Sequence, residues 1–180
     1  MTVATTAKPR DQKLMFYHPN GTATGSALQL EPRVNRSGSD RYNCFFLEMA
    51  AQKTALGREG DKRVHATFDW ENKLTVKLEF PDICEMLSVL EGRQERVGGQ
   101  RNGLYHETER ASTVITLARS TEKSGLFLGL SRKDKESGSL ARVNMTLSEA
   151  ETVGLRSIFQ VGLFFITFHG HIFPSVREPG

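Results

Sequence analysis

The 180-residue chain has little of what usually marks a function. Its two cysteines, Cys44 and Cys84, stand at no metal or redox spacing and read as small core residues. No long apolar run suggests a membrane span, and no hydrophobic N-terminal segment suggests secretion. The expectation is a soluble cytoplasmic protein, with no membrane partner. Charge of one sign is not in large excess: a net charge of +3 and a pI near 9.0 lean only weakly toward an anionic partner. Gly98-Gly99 form no strand-to-helix phosphate loop. His169 and His171 lack carboxylates or thiols at metal-ligand spacing and read as a loose tail. Nothing marks a nucleophile, and Glu79, Asp82 and Glu85 read as strand surface, helix start and helix surface. No enzyme activity, cofactor or metal is expected.

What is present is an alternation of strand and helix patterns. The stretch from Phe68 to Gly92 holds a strand, its stop and a helix. Leu74, Val76, Leu78 and Phe80 alternate with Lys73, Thr75, Lys77 and Glu79, the period of a strand with one buried face. Pro81 stops the ladder and Asp82 suits a helix start. Ile83, Met86, Leu87 and Leu90 then form one helical stripe, closed by Gly92. Before it come an apolar-aromatic run at Leu14 to His18, a turn over PNGTATG, and a strand from Ser26 to Val34. A polar loop, a strand from Tyr42 to Ala50 and an exposed loop from Ala51 to Lys62 follow.

After a charged, glycine-rich linker from Arg93 to Gly103 the order restarts. Leu104-Tyr105-His106 echoes Phe16-Tyr17-His18, and Ser112 to Arg119 echoes Ser26 to Arg33. Gly125 to Ser131 parallels Cys44 to Ala50, with Phe127-Leu128 facing Phe46-Leu47. The turn RKDKESGS leads to a strand from Leu140 to Leu147, with Ala141, Val143, Met145 and Leu147 inward. Thr146 and Glu149 have the spacing of a capping box. Leu155, Ile158, Phe159, Gly162 and Ile166 give the stripe of a second helix that ends near Phe168, before Gly170. That helix is apolar all round, which suits either a subunit interface or burial between layers of one monomer. The organisation is an α+β fold: two four-strand-plus-helix repeats, giving two antiparallel sheets with helices packed at one end. Residues 1–12 read as a flexible arm, 13–170 as a single domain of repeats 13–93 and 104–170, and 171–180 as a tail.

Three stretches carry a resemblance: Gly25 to Pro32 (GSALQLEP), Phe68 to Lys73 (FDWENK), and Leu140 to Phe159. In order and spacing they resemble the Whirly family and its relatives, single-stranded-DNA-binding transcriptional regulators and kinetoplastid guide-RNA-binding proteins. The resemblance covers Leu14 to Phe168. It implies two successive repeats, roughly perpendicular sheets and tetramers held through the helices. Ser26 stands where the family motif has lysine, so that lysine's role has no counterpart here.

Binding a single strand needs cations along the backbone path and flat side chains under the bases. Candidate cations at outward strand positions are Arg33, Lys73, Lys77, Arg119, Arg132 and Arg142. Candidate stacking groups are Tyr17, His18, Tyr105 and His106, at matching starts of the two repeats. Phe45, Phe46, Phe68 and Trp70 read as core, since large aromatics dominate cores. The expected partner is single-stranded DNA or RNA, bound with little sequence preference by a homo-oligomer, a tetramer. The alternative is an oligomeric protein-interaction scaffold.

Overall fold

The computed structural model describes residues 13–33, 43–120 and 125–172. The expected arm over 1–12, most of the polar loop before the third strand, and 173–180 of the expected tail lie outside the described residues. The strands are β1 (Leu14–His18), β2 (Ser26–Arg33), β3 (Cys44–Ala51), β4 (Gly57–Glu59), β5 (Lys62–Val64), β6 (Leu74–Leu78), β7 (Leu104–Glu107), β8 (Ala111–Arg119), β9 (Leu126–Asp134) and β10 (Leu140–Leu147). Helix α1 (Phe80–Leu90) follows β6, and α2 (Glu149–Ile172) follows β10. The first sheet has the order β1-β2-β3-β6 and the second β10-β9-β8-β7, both antiparallel, while β4 and β5 form a separate hairpin. The expected α+β architecture is present.

Strand alternation puts the apolar set of each sheet on one face. Leu28, Leu30, Leu47, Met49, Val76 and Leu78 from the first sheet join Ile115, Leu117, Leu128, Leu130, Met145 and Leu147 from the second in one buried cluster. Ile83 and Met86 of α1 and Leu155 and Phe159 of α2 complete it. Each fully buried large side chain contributes about 1.5–3 kcal/mol, so this cluster holds the sheets and helices together.

The cross-strand register makes the two repeats superimposable residue by residue. His18 pairs with Ser26, and Leu28 with Met49, which pairs with Leu74. His106 pairs with Thr113, and Ile115 with Leu130, which pairs with Val143. Ser26 therefore corresponds to Thr113. The echo of Ser26 to Arg33 in Ser112 to Arg119 is displaced by one residue, a slip that would exchange the two faces of the strand. The match of Phe46-Leu47 with Phe127-Leu128 holds.

Both helices begin on a carboxylate three residues into the turn. Asp82 Oδ2 accepts the Glu79 N–H at 2.8 Å, and Glu151 Oε2 accepts the Ser148 N–H at 2.8 Å. The Glu151 N–H in turn donates to Ser148 Oγ at 3.3 Å. The capping box of α2 is thus Ser148 and Glu151, because Thr146 is still held in the β10–β9 ladder.

Other boundaries also shift. Phe80 opens α1 and is 50% exposed, so it ends no inward strand face. The segment 51–62, expected as loop, contains β4 and the start of β5. Residues 95–97 run beside β8, with Val97 N–H donating to the Leu117 carbonyl at 3.0 Å and Val97 itself buried. They are more than a linker. Ala141 lies exposed at a sheet margin, and Ile158 points outward on α2. Helix α2 continues through Gly170, which places the His169–His171 stretch in a helix. The span Glu149–Phe168 is by length and composition apolar enough to cross a membrane, a feature that the sequence pattern did not suggest. Its buried side chains, Leu155, Phe159 and Ile166, belong to the protein core.

Gly162 lets α2 approach β3. A Cβ at this position would lie 2.3 Å from the ring of Phe45, which is itself buried and packed edge-on against Phe159 at 5.7 Å between centroids. The ring has no free direction in which to retreat. Gly162→Val is expected to destabilise the fold by about 1–3 kcal/mol through overpacking, read as a lower midpoint in chemical denaturation. An unchanged midpoint would refute this account of the helix seat.

Candidate nucleic-acid interface

The outer face of the first sheet is charged but self-compensated. Across its middle run Gln29, Glu48 and Thr75, one from each of three paired strands. Lys73 Nζ lies 2.7 Å from Glu48 Oε1, Thr75 donates to the same oxygen at 3.2 Å, and Gln29 donates to the other. Burial works to raise the Glu48 carboxyl, but the hydrogen bonds from Lys73 and Gln29 hold it below its ordinary value. Lys13 and Arg33 both pair with Glu31, at 2.8 and 2.7 Å. The Arg33 guanidinium also lies over the Phe46 ring, 5.7 Å from its centroid, so Phe46 is a half-buried outer-face aromatic rather than core. Lys77 pairs with Glu79 at 2.6 Å, which raises the lysine and lowers the carboxyl from their ordinary values. Every cation that the sequence suggests on this face has a carboxylate partner.

The second sheet presents the same positions with different chemistry. By the register, Thr116, Gly129 and Asn144 stand where Gln29, Glu48 and Thr75 stand in the first sheet, and Arg142 stands where Lys73 does. Glycine in place of Glu48 removes both a side chain and a negative charge. What remains is a shallow hollow of about 230 Å³ lined by Thr116, Phe127, Ser131, Arg142 and Asn144, with Gly129 in its floor. Arg142 is exposed, and among the described residues no carboxylate lies within ion-pair distance of it. Its cross-strand row runs through Ser131 and Val114 to Tyr105, which is 59% exposed. The Tyr105 hydroxyl donates to the Arg101 carbonyl at 2.9 Å, which fixes the ring at the sheet margin. Exposed Lys133 lies one row away, on the same face.

The other candidates separate by face. Tyr17 is outward and 48% exposed, tilted against Phe68 at 5.4 Å between centroids. Phe68 and Trp70 are half-buried, and Phe45 is core. His18 and His106 fall on the inward register and are half-buried, not offered as platforms. His18 Nε2 lies 2.8 Å from Glu151 Oε1, and His106 Nε2 lies 3.1 Å from Asp82 Oδ1. Each capping carboxylate thus holds the histidine of the other repeat's first strand. Arg132 also faces inward, with Nε donating to Thr113 Oγ1 at 3.1 Å and the guanidinium reaching the Thr75 carbonyl. Arg119 lies at the rim beside Glu95, at 3.9 Å. Cys44 is buried, which raises its thiol pKa, and Cys84 is half-buried in α1.

Solved structures share this arrangement at low sequence identity. WHY1 from Arabidopsis thaliana superposes with a TM-score of 0.65 at 18% identity, over 93% of this chain and 97% of that one. This is the Whirly fold. The plant transcriptional regulator PBF-2 gives a TM-score of 0.64 at 19% identity, over 94% of this chain and 90% of its own. A guide-RNA-binding protein complex bound to a guide RNA gives 0.56 at 18% identity, over 86% and 91%. No family model matches the sequence, and the comparison with curated proteins gives no match.

Within the Whirly fold the space between the sheets is filled by core side chains. An open hollow of about 800 Å³ lies at residues 94–102 beside Glu85, away from that space. Among the described residues no three His, Cys, Asp or Glu side chains converge as metal ligands would. Sequence reasoning missed Gly129, Phe127 and Asn144. The signal was at hand, since matching Cys44–Ala50 with Gly125–Ser131 already sets Gly129 opposite Glu48.

Proposed function

We propose that this protein binds single-stranded DNA or RNA on the outer faces of its sheets, with the second sheet as the principal contact. The observation that carries the reading is the replacement of Glu48 by Gly129 at the equivalent position. It leaves Arg142 without a carboxylate beside a hollow walled by Phe127. A planar base can stack on the outward side of the Phe127 ring, which itself lies over Gly129, while Arg142 meets a phosphate, and Tyr105 continues the platform. Such contacts read π-faces and backbone, so sequence preference is small. The plant transcriptional regulator and the guide-RNA-binding complex that share the fold support nucleic acid as the ligand class. We place the protein in genome maintenance or transcription, as a non-enzymatic factor that uses no cofactor, with residues 13–170 acting as one domain.

Assembly is part of the reading. Val161, Phe164, Phe165 and Phe168 are 40–58% exposed on α2, and Phe164 packs against Phe165 and Phe168 within the same patch. A contiguous aromatic patch of this kind suits a helix-mediated homo-oligomer, a tetramer. A monomeric mass in solution would remove this part.

The deciding experiment is fluorescence anisotropy of labelled single-stranded DNA, single-stranded RNA and duplex DNA at low and physiological salt. The expected result is tighter binding of a single strand than of duplex, weakening steeply with salt through counterion release. A folded protein that binds none of the three would refute the reading and favour the scaffold.

A further inference from the structure

The β4–β5 hairpin is exposed at every strand residue. Its register sets Arg58 directly opposite Arg63 and Glu59 directly opposite Lys62. Alternation puts these two pairs on opposite faces. One face is therefore internally neutral, and the other holds two arginines. Among the described residues no carboxylate lies within ion-pair distance of either arginine. Like charges directly across a ladder destabilise it, and a three-residue hairpin is marginal to begin with. Its root is firmly held instead. Lys53 N–H donates to the Thr67 carbonyl at 2.7 Å, Thr67 N–H to Thr54 Oγ1 at 2.9 Å, and Leu56 N–H to the Asn20 carbonyl at 3.0 Å. Phe68, bridged to Gln52 at that root, is the residue on which the exposed Tyr17 ring leans.

We infer that this hairpin is a backbone-gripping arm, which holds a phosphate of a bound nucleic acid between Arg58 and Arg63 beyond the Tyr17 edge of the first sheet. The inference rests on the nucleic-acid reading above. Two guanidinium forks a cross-strand distance apart match an anion with several acceptor oxygens, and the anion removes the repulsion between them. The contact carries no base information, so it adds affinity equally to all sequences.

The test compares the full chain, Arg58→Gln/Arg63→Gln, and the opposite-face control Glu59→Gln/Lys62→Gln. Each binds a long single-stranded oligonucleotide across a salt series, with thermal unfolding measured in parallel. The arginine pair is expected to weaken binding several-fold and to lower the salt slope by about 0.7, since the two arginines together neutralise one phosphate and each phosphate of a single strand so neutralised accounts for roughly 0.7. The control is expected to keep both values, and both variants to keep the unfolding midpoint. Unchanged affinity and slope in the arginine variant, beside a wild type that binds, overturn the arm and leave the sheet reading intact. An equal loss in the control also overturns it, because the arginine face is then not special. A wild type that binds no nucleic acid overturns both.

Discussion

Gly129→Glu is expected to weaken single-strand binding by about ten- to a hundredfold, the equivalent of removing one base stack at roughly 1–3 kcal/mol. The substitution converts the second sheet into a copy of the first. A carboxylate at this position would sit beside Arg142 as Glu48 sits beside Lys73, at 2.7 Å, and its side chain would fill the hollow over the strand. One cation would be neutralised and one base position closed. The salt slope should fall by about 0.7, because Arg142 would no longer neutralise a phosphate. The backbone accepts the change, since Gly129 is not in the left-handed region, but a Cβ would meet the Phe127 ring at 3.2 Å, so that ring must shift by a few tenths of an ångström to admit it. Normal thermal unfolding with unchanged affinity and slope would refute the assignment of this face. Joint replacement of Lys73 and Lys77, the test that the sequence itself suggests, addresses cations already paired with Glu48 and Glu79. It is expected to cost less affinity.

Asp82→Ala combined with Glu151→Ala is expected to lower the free energy of unfolding by about 2–4 kcal/mol, since each carboxylate satisfies an opening N–H of its helix and also holds a histidine from the other repeat. Each deletion removes a cap and a charge-assisted bond. The two sites share no partner and their effects should add. Denaturant titration of the single and double variants checks this, and a double variant as stable as wild type would refute it. Glu151 also predicts a pH dependence. Burial works to raise its carboxyl, but the hydrogen bonds from His18 and Ser148 hold it below its ordinary value. Its contribution is therefore complete above the unfolded value, about 4.3. It is lost as pH falls through the lower folded value. Wild type should lose stability on acidification through this range more steeply than Glu151→Gln.

The sheets were legible because alternation in Leu74 to Leu78 and Leu140 to Leu147 is a local signal. Pairing of the repeats was legible for β3 with β9, where Phe46-Leu47 and Phe127-Leu128 are distinctive. It slipped for β2 with β8, since Ser26 resembles Ser112 more than Thr113 and only cross-strand register distinguishes them. The site was harder to read. Arg142 and Lys73 look alike in sequence, and what separates them is whether the residue across the sheet is Gly129 or Glu48. His18 and His106 follow outward tyrosines, yet the period of two turns them to the core. The hairpin at 57–64 carries no apolar alternation, so nothing in its sequence distinguishes it from loop.

The exchange of histidines between the repeats has unequal reach along the chain. The His106–Asp82 contact spans 24 residues and the His18–Glu151 contact spans 133. Closing the longer loop carries the larger entropic cost, and contacts of high separation form late. Edge strand β1 is therefore synthesised long before the carboxylate that its histidine meets. Until Glu151 has emerged, β1 can pair with β2 and be tied through Asn20 to Gln52 and Leu56, but the His18 ring lacks its carboxylate. Over that interval the growing chain carries an edge strand without this last latch, and edge-to-edge association with a neighbouring nascent chain competes with folding.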